Sequence, residues 1–223
     1  MGEATEFEVN PNPTNPTAIY HSQFDFTDSD VSITFTQKGT TVLCSVYGPA
    51  ELPSSKRLND RMAVQVVYTR ENGSFDNCEE ISGFINAMID RTRFLRSGVV
   101  INIHQLTDNG SRLATAVNGA SLALLDSAIP LDLLLLAVSV ALNEDGSIIV
   151  NPTKEEERNA IATAVVVFKN FMDDVHPAGF KSSGPVSPLF YSQVVETTKQ
   201  TAVDLLQYFR RIMEERLVEK QAS

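Results

Sequence analysis

The chain has 223 residues, of which 43% are hydrophobic and 21% are charged, and it contains 11 Gly, 10 Pro and no Trp. This composition is typical of a globular protein and excludes a disordered or collagen-like chain. The length fits one large domain or two small ones. Eighteen basic and 28 acidic residues give a net charge of −10 at neutral pH. Because phosphate contacts need local positive potential, this excess of acid argues against a protein that binds nucleic acid over its whole surface.

The N-terminal part of the chain is predicted to contain a flexible arm and a β-hairpin. Residues 1–18 are the arm, because proline alternates there with Asn and Thr, and residues 19–223 are predicted to form a single domain. Val31 to Phe35 alternate with the period of a half-buried strand, and Thr41 to Tyr47 form a second β-rich run. Lys38-Gly39 between them indicates a tight turn.

The middle of the chain is predicted to contain two helices. Residues 63–69 form a third strand, after which the hydrophobic period changes to 3.6 residues and predicts a helix from about Cys78 to Arg96. A short strand follows at Val99 to Gln105. Ser111 is then predicted to be the N-cap of a second helix that reaches Leu125.

The last part of the chain is predicted to return to strands. The strands are expected at residues 133–142, 148–150, 162–168 and 176–181, and an amphipathic helix follows them to the C-terminus. The resulting order, β-β-β-α-β-α-β-β-β-α, predicts the α/β class, as an α+β two-layer domain with helices on a mixed sheet.

The sequence lacks the motifs that are typical of several classes of enzyme. No zinc-protease, α/β-hydrolase or nucleotide-binding motif is present, and we expect neither a metal nor a cofactor. Cys44 and Cys78 are too few for a disulfide framework, and Cys44 lies in an apolar run typical of a buried residue. No secretory signal is recognised, and the apolar stretch at residues 133–142 has about half the length that a bilayer requires. The sequence therefore predicts a soluble intracellular protein with reduced thiols and no membrane partner.

Two local clusters of charge each have an ordinary and a functional interpretation. Glu155 to Glu157 favour a solvated helix or loop start over a cation site. Two basic clusters are most simply solvated surface, and RNA or an acidic protein is the alternative partner. The first cluster contains Lys56, Arg57, Arg61 and Arg70, and the second contains Arg91, Arg93, Arg96 and Arg112.

Residues 108–112 carry the arrangement best suited to a phosphate. Gly110 lets the backbone approach closely, Ser111 offers a hydroxyl and Arg112 offers a guanidinium, all at the start of a predicted helix. The ordinary alternative is an N-cap followed by an exposed arginine.

Four segments in register carry a resemblance to a known family. They are Cys44–Glu51, Glu80–Ser82, the loop at residues 108–112 with the helix sequence Asn118–Pro130, and Asp145–Thr153. Over residues 20–220, the chain resembles RNase PH-like proteins, and among them the ring subunits of the eukaryotic RNA exosome. The resemblance implies an RNase PH fold with a β-α-β-α arrangement of the ribosomal S5 domain 2 type. Active members degrade RNA from its 3′ end with inorganic phosphate as the nucleophile.

The residues that the resemblance places in the phosphate site are only partly those of an active enzyme. Gly110-Ser111-Arg112 matches the phosphate loop of active members. The interval from Asp108 to the following Ala123-Leu124 pair is one residue longer, and we expect this insertion to rotate Arg112 out of the pocket.

At the other site positions that the resemblance implies, this chain has different residues from active members. Asp76 and Asn77 stand where active members have two arginines that hold RNA, so RNA is expected to be repelled there. Glu157 stands at the first catalytic Asp, and Thr163, which does not ionise, stands near the second. We therefore expect a degenerate site without catalytic residues.

The resemblance implies a non-catalytic subunit of a hexameric ring through which RNA passes for 3′-to-5′ processing and degradation. Its implied partners are other RNase PH-like ring subunits, S1/KH cap subunits, a separate hydrolytic RNase subunit and RNA in the central channel. The implied location is the nucleus and nucleolus, and also the cytoplasm. The RNA-binding candidates are Lys56, Arg57, Arg61, Arg93 and Arg96.

The RNA contact and the activity each have more than one interpretation. Arg93 and Arg96 are expected to share one face of the predicted helix, and the loop with Lys56 and Arg57 is the favoured RNA contact. The principal alternative function is a phosphorolytic 3′–5′ exoribonuclease that retains activity through Ser111, Arg112 and Glu157. A homo-oligomeric hydrolytic nuclease is a weaker third interpretation.

Overall fold

The structure is a computed structural model, and it describes residues 9–10, 20–24, 29–53, 55–76, 79–127, 129–171 and 174–222. Its first nine elements are β1 (Val9–Asn10), β2 (Tyr20–Phe24), β3 (Val31–Gln37), β4 (Thr40–Glu51), β5 (Ala63–Thr69), β6 (Phe75–Asp76), α1 (Glu79–Met88), β7 (Ser97–Thr107) and α2 (Arg112–Asp126). The remaining elements are β8 (Leu135–Leu142), β9 (Ile148–Val150), α3 (Lys154–Asn159), β10 (Ala162–Phe171), β11 (Asp174–Ser183) and α4 (Pro188–Ala222).

The first sheet has six strands in the order β2-β3-β4-β7-β5-β6. The predicted β3–β4 hairpin is confirmed, and Lys38 and Gly39 form its turn with φ values of 47° and 89°. The β5–β7 pair is parallel and its two strands are joined through α1, whereas the other pairs are antiparallel. This mixed sheet is the type of sheet that the sequence predicts.

The second sheet has five strands in the order β1-β9-β8-β10-β11. The predicted hairpin at residues 144–146 is confirmed, because it joins the antiparallel strands β8 and β9. Strand β8 lies between β9 and β10, and every one of its residues is buried. The α/β class is confirmed, but the strands form two sheets where one was expected.

Helix α2 packs between the two sheets, and small residues allow its backbone to approach closely. It contacts β3 and β4 of the first sheet and β8 of the second. A side chain at Gly119 would bring its Cβ within 2.7 Å of Val42 and 2.9 Å of Cys44. Cys44 is fully buried, as predicted, and burial raises the pKa of its thiol. The long C-terminal helix α4 is also confirmed and covers β8, β10 and β11.

Helix α1 is shorter than predicted, because its hydrophobic pattern continues into a segment that is not helical. The helix ends at Met88, and Ile89 forms a β-bridge with Leu131. The Met88 carbonyl accepts a hydrogen bond from the Asp132 N–H at 2.8 Å. The prediction that Arg93 and Arg96 share a helical face is therefore wrong, since both residues lie in a loop.

Two further segments differ from the sequence-based expectation or extend it. Val9 and Asn10, within the predicted arm, pair in parallel with Ile148 and Ile149, while the rest of residues 1–18 lies outside the described residues. The acidic run at residues 155–157 lies in the first turn of α3, as the interpretation of a helix start predicts. Thr153 and Glu156 form a capping box in front of this helix, a pattern present in the sequence as T-x-x-E.

Candidate functional site

The Gly110–Arg112 loop connects β7 to α2 and is fixed against the segment that precedes α3. Gly110 has a φ of 93°, and a Cβ there would lie 2.6 Å from the Lys154 backbone nitrogen and the Pro152 carbonyl oxygen. The Lys154 N–H donates a hydrogen bond to the Asn109 carbonyl at 2.9 Å. Glycine is therefore required for close backbone contact within the protein at this position.

Both polar hydrogens of Ser111 are donated in hydrogen bonds to other residues of the protein. Its N–H donates to Oε1 of Glu157 at 2.7 Å, and its Oγ donates to the Pro152 carbonyl at 2.9 Å. Ser111 is the N-cap residue of α2, as predicted, although its side chain makes no capping hydrogen bond. Because the loop crosses to residues 152–157, the hydroxyl and the amide face that segment.

Arg112, Glu157 and Thr163 meet in one cleft of about 360 Å³. The cleft lies between the start of α2, the strands β8, β10 and β11, and the helices α1 and α3. Arg112 lines this cleft and also a neighbouring one beside Arg70. The charged and hydroxyl-bearing residues that line the cleft are Asp108, Arg112, Ser139, Lys154, Glu157, Thr163, Lys181, Ser182 and Ser183.

Each of the two lysines in the cleft has an acidic partner. Lys154 Nζ lies 2.6 Å from Asp108 Oδ2, and Lys181 forms an ion pair with Glu80 at the start of α1. Arg112 forms no hydrogen bond or ion pair with another described residue, although its charge acts on Asp108 and Glu157. Three basic side chains thus face three acidic ones in and beside the cleft, and its charge is balanced by the chain itself.

Asp108 and Glu157 have opposite pKa shifts. Burial would raise the pKa of Asp108, but the hydrogen bonds from Lys154 and the Gly110 N–H, with the charges of Lys154 and Arg112, lower it below its ordinary value. Burial raises the pKa of Glu157, and the charge of Asp108 adds to this rise. The Ser111 hydrogen bond and the charges of Arg112 and Lys154 oppose the rise in this pKa without cancelling it.

Thr163, which the resemblance places near the second acidic position, brings no carboxylate to the cleft. Thr163 lies on β10 opposite Ala141 of β8 and lines the cleft. Ser139, two residues before Ala141, is 3% exposed, and its Oγ has no hydrogen-bond partner in the part of the chain that the structure describes. The hydroxyl groups near Thr163 offer no proton donor with a pKa near neutrality.

Asp76 lies outside this cleft, and Asn77 falls among the residues that the structure does not describe. Asp76 ends β6, where Oδ2 accepts hydrogen bonds from Arg70 Nε at 2.8 Å and from an Arg70 terminal nitrogen at 2.6 Å. The predicted repulsion of RNA by Asp76 is therefore reduced by Arg70. The Asn72-Gly73 turn brings Arg70 and Asp76 together, so this pairing was detectable from the sequence.

The structure joins three residues of each basic cluster, leaving out Arg70 and Arg112. The Met62 N–H donates to the Arg91 carbonyl at 2.8 Å, and Arg91 Nε donates to the Met62 carbonyl at 2.9 Å. Residues 51–53, 55–62 and 90–97 therefore form one surface at the end of the first sheet where β5 and β7 begin, which we call the two-loop patch. Its sequence contains six basic and three acidic residues.

The basic residues of the two-loop patch differ in their freedom to bind a ligand. A terminal nitrogen of Arg57 donates to Glu51 at 2.5 Å and to the Leu52 carbonyl at 3.0 Å, so this residue fixes its own loop. Arg93 Nε donates to Asp90 at 3.0 Å. Lys56 and Arg61 are exposed, and Arg61 lies 3.9 Å from Asp60.

The described residues contain no metal-binding cluster and no membrane span. Among them, no group of three or more His, Cys, Asp or Glu side chains is placed to hold a metal ion. Within the same residues, every helix is too short or too polar to cross a bilayer.

A family model described as "3′ exoribonuclease family, domain 1" matches residues 22–130. The chain is similar to the RNase PH-like family over these residues. The matched region includes Asp76, the Gly110–Arg112 loop and helix α2. The resemblance read from four short segments is thus confirmed at the level of the family.

Several curated proteins are similar to this chain. The Arabidopsis thaliana "Exosome complex exonuclease RRP46 homolog" is 29% identical over 66% of the chain and 64% of its own length. The Caenorhabditis elegans "Exosome complex component RRP46 homolog" is 28% identical over 63% of the chain and 66% of its own length. A C. elegans "Putative exosome complex component RRP41" is 29% identical over 80% of the chain and 79% of its own length. The matches to the first two relatives thus span slightly less than two thirds of those proteins.

Solved structures confirm the RNase PH fold. The crystal structure of rice (Oryza sativa) Rrp46 has a TM-score of 0.81 and 22% identity, and covers 90% of this chain and 97% of its own. The archaeal exosome core has a TM-score of 0.67 and 16% identity, with 86% of each chain covered.

Proposed function

We propose that the chain is a non-catalytic ring subunit of a eukaryotic RNA exosome, in which six RNase PH-like domains form a barrel that RNA enters. The hydrogen bond from the Ser111 N–H to the Glu157 carboxylate carries this proposal. A phosphorolytic enzyme needs that loop to bind inorganic phosphate, and here a carboxylate of the chain occupies a donor of the loop. The names of the RRP46 and RRP41 relatives support the exosome assignment.

The charges of the cleft support the absence of phosphorolysis. Two of its three basic side chains are paired with acids, namely Lys154 with Asp108 and Lys181 with Glu80. A phosphate entering the cleft would meet little net positive charge, and Glu157 would repel it. Thr163 also leaves the reaction without a second carboxylate to protonate the leaving oxygen.

The proposed partners follow from this assignment. They are other RNase PH-like ring subunits, S1/KH cap subunits, a separate hydrolytic RNase subunit, and RNA in the channel. We propose the nucleus, the nucleolus and the cytoplasm as its locations. The two-loop patch is the proposed RNA contact, through Lys56, Arg61 and Arg96, since Arg57 is held by Glu51 and Arg93 by Asp90.

An activity assay tests the absence of catalysis. The purified full-length chain is incubated with RNA and inorganic phosphate, and we expect no more nucleoside diphosphate than Arg112→Ala releases. Arg158→Ala is the matched control, because Arg158 is an exposed arginine of α3 that does not line the cleft. Release by the native chain and by Arg158→Ala, but not by Arg112→Ala, would establish an enzyme instead.

A second function, that of a phosphorolytic 3′–5′ exoribonuclease acting through Ser111, Arg112 and Glu157, is favoured by one observation. Arg112 lines the cleft and has no acidic partner within 4.0 Å among the described residues, so its guanidinium is free to meet a phosphate.

Co-expression tests assembly separately from catalysis. Partners that bind the native state raise its apparent stability. Co-expression with other RNase PH-like exosome subunits is expected to give a stoichiometric complex and a higher melting temperature for this chain. A chain that stays separate at the same melting temperature would contradict the ring assignment.

A further inference from the structure

The two-loop patch exposes large apolar side chains among its arginines. Phe94 is 40% exposed and Leu95 is 54% exposed, and both lie between Arg93 and Arg96. The chemistry of the patch therefore combines a flat apolar surface with positive charge.

Hydrogen bonds hold the loop that carries Phe94 in place. Asp90 Oδ1 accepts from the Thr92 N–H at 3.0 Å and from Thr92 Oγ1 at 2.6 Å. Ser97 Oγ donates to the Phe94 carbonyl at 2.7 Å. Because the loop is fixed on both sides of Phe94, the ring is presented to a ligand with little further ordering.

A second exposed aromatic side chain lies beside the patch on the first sheet. Tyr47 of β4 is 41% exposed, and it stands opposite Val100 of β7, which in turn stands opposite Gln65 of β5. Gln65 Oε1 accepts a hydrogen bond from Lys56 Nζ at 3.4 Å. Tyr47 therefore lies in the same cross-strand row as the residue that Lys56 contacts, on the sheet face opposite helix α2.

We propose that the two-loop patch binds single-stranded RNA, with bases stacked on Phe94 and Tyr47 and with phosphates at Lys56, Arg61 and Arg96. This inference rests on the proposed function and specifies how the RNA is held. Proteins that bind single strands without sequence preference combine a basic surface with aromatic rings, because every base has a flat face. Six basic against three acidic residues favour an anionic partner, whereas the centre of a protein interface is depleted in charge.

The two kinds of interaction are separated by their salt dependence. Fluorescence anisotropy is measured with a labelled oligouridine of about 15 nucleotides, using the full-length chain alone and co-assembled with RNase PH-like subunits. Phe94→Ala and Tyr47→Ala are each expected to weaken binding by about fivefold or more at an unchanged salt slope, because stacking releases no counterions. Lys56→Gln with Arg96→Gln is expected to lower the slope by about one unit for every phosphate that the variant no longer neutralises.

Matched variants control for folding and for hydrophobicity alone. Phe94→Tyr and Tyr47→Phe keep the rings and are expected to bind as the native chain does. Phe75→Ala removes an 80% exposed ring from the opposite end of β5, where Phe75 pairs with Thr69, and is expected to change nothing. An oligonucleotide with 5-iodouridine is expected to cross-link to peptides that contain Phe94 or Tyr47.

Each contrary outcome has a distinct meaning. Native affinity in both Phe94→Ala and Tyr47→Ala overturns the stacking proposal and leaves the ring assignment intact. Loss of co-assembly by Phe94→Ala, with RNA binding by the isolated chain unchanged, identifies the patch as a protein interface and also overturns the proposal. A native chain that assembles but binds no RNA overturns it as well, and one that does not assemble contradicts the proposed function instead.

Discussion

The side chain of Asn118 on helix α2 pairs with both backbone groups of Ala137 on strand β8. Asn118 Oδ1 accepts from the Ala137 N–H at 2.7 Å, and Asn118 Nδ2 donates to the Ala137 carbonyl at 2.8 Å. The same Nδ2 donates to Gln37 Oε1 on β3 at 2.9 Å. One amide therefore connects the helix to both sheets and fixes the distance between them.

Asn118→Ala is expected to destabilise the protein by about 2 to 4 kcal/mol, because it leaves buried polar groups of Ala137 and Gln37 without partners. Chemical denaturation of the full-length chain measures this difference. Asn86→Ala is the control, since Asn86 is half-buried and donates only to the Ser82 carbonyl of its own helix. A similar loss of unfolding free energy in both variants would show that the Asn118 side chain does not hold the two sheets together.

Gly110→Ala tests the packing of the Gly110–Arg112 loop. The added Cβ would lie 2.6 Å from backbone atoms of residues 152–154, whereas a Cβ at Gly73 would meet nothing within 4 Å. Both glycines have positive φ, at 93° and 78°, so both variants carry the same kind of backbone strain. We expect Gly110→Ala to cost about 1 to 3 kcal/mol more than Gly73→Ala in denaturation experiments, from overpacking alone. Equal costs would mean that residues 152–154 move aside.

The strands were predictable from the sequence where burial follows a simple period. Val31 to Phe35 alternate because one face of β3 packs against α2, and the sequence shows this pattern directly. Helix α1 was extended too far because Ile89 and Leu95 continue its hydrophobic period. Ile89 is buried through a bridge to Leu131, which lies 42 residues away in the chain and leaves no local trace.

The candidate site was predictable only in its residue types. Gly110-Ser111-Arg112 and Glu157 were identified from the resemblance, but the hydrogen bond between Ser111 and Glu157 joins residues 46 positions apart. The pairing of Lys154 with Asp108 spans the same interval. Such contacts depend on how β7, α2 and α3 pack, and no local pattern encodes them.

Asp126→Asn is expected to loosen the end of helix α4. The Asp126 side chain is 4% exposed, and it accepts Lys220 Nζ at 2.5 Å and lies 3.5 Å from Arg216 Nε. Arg216 is 11% exposed, so removing the charge leaves a mostly buried guanidinium with weaker compensation. We expect faster hydrogen exchange in residues 213–222, with a local loss of about 1 to 3 kcal/mol.

The control for this variant is Glu215→Gln, which weakens an exposed pair with Arg211 at 3.9 Å. Exposed pairs of this kind contribute about 0.5 kcal/mol or less. If the two variants exchange alike, the Asp126 pairs do not anchor the helix.

Glu157→Gln is expected to show that the Glu157 carboxylate occupies the Gly110–Arg112 loop. The pKa of Glu157 is raised in the folded state, chiefly by burial, so the folded protein binds this proton more tightly than the unfolded one. Its contribution to stability is therefore largest below the unfolded pKa and is lost as the pH rises through the folded pKa. The glutamine amide oxygen still accepts the Ser111 N–H but carries no charge, so the stability of the variant relative to the native chain should rise with pH. Melting temperatures measured from about pH 4 to pH 8 test this trend.

The same variant is expected to bind inorganic phosphate more tightly than the native chain, because the charge that repels the anion is gone while Arg112 remains. The pKa of Asp108 is shifted downward, opposite to that of Glu157, and this lowered pKa stabilises the fold at neutral pH. Asp108→Asn should therefore lose stability relative to the native chain as the pH rises, the reverse of Glu157→Gln. Calorimetric titration with phosphate, and with chloride at equal ionic strength, measures the specific part of the gain. Phosphate affinity that does not differ between Glu157→Gln and the native chain would show that the hydrogen bond to Ser111, rather than the charge of Glu157, closes the loop.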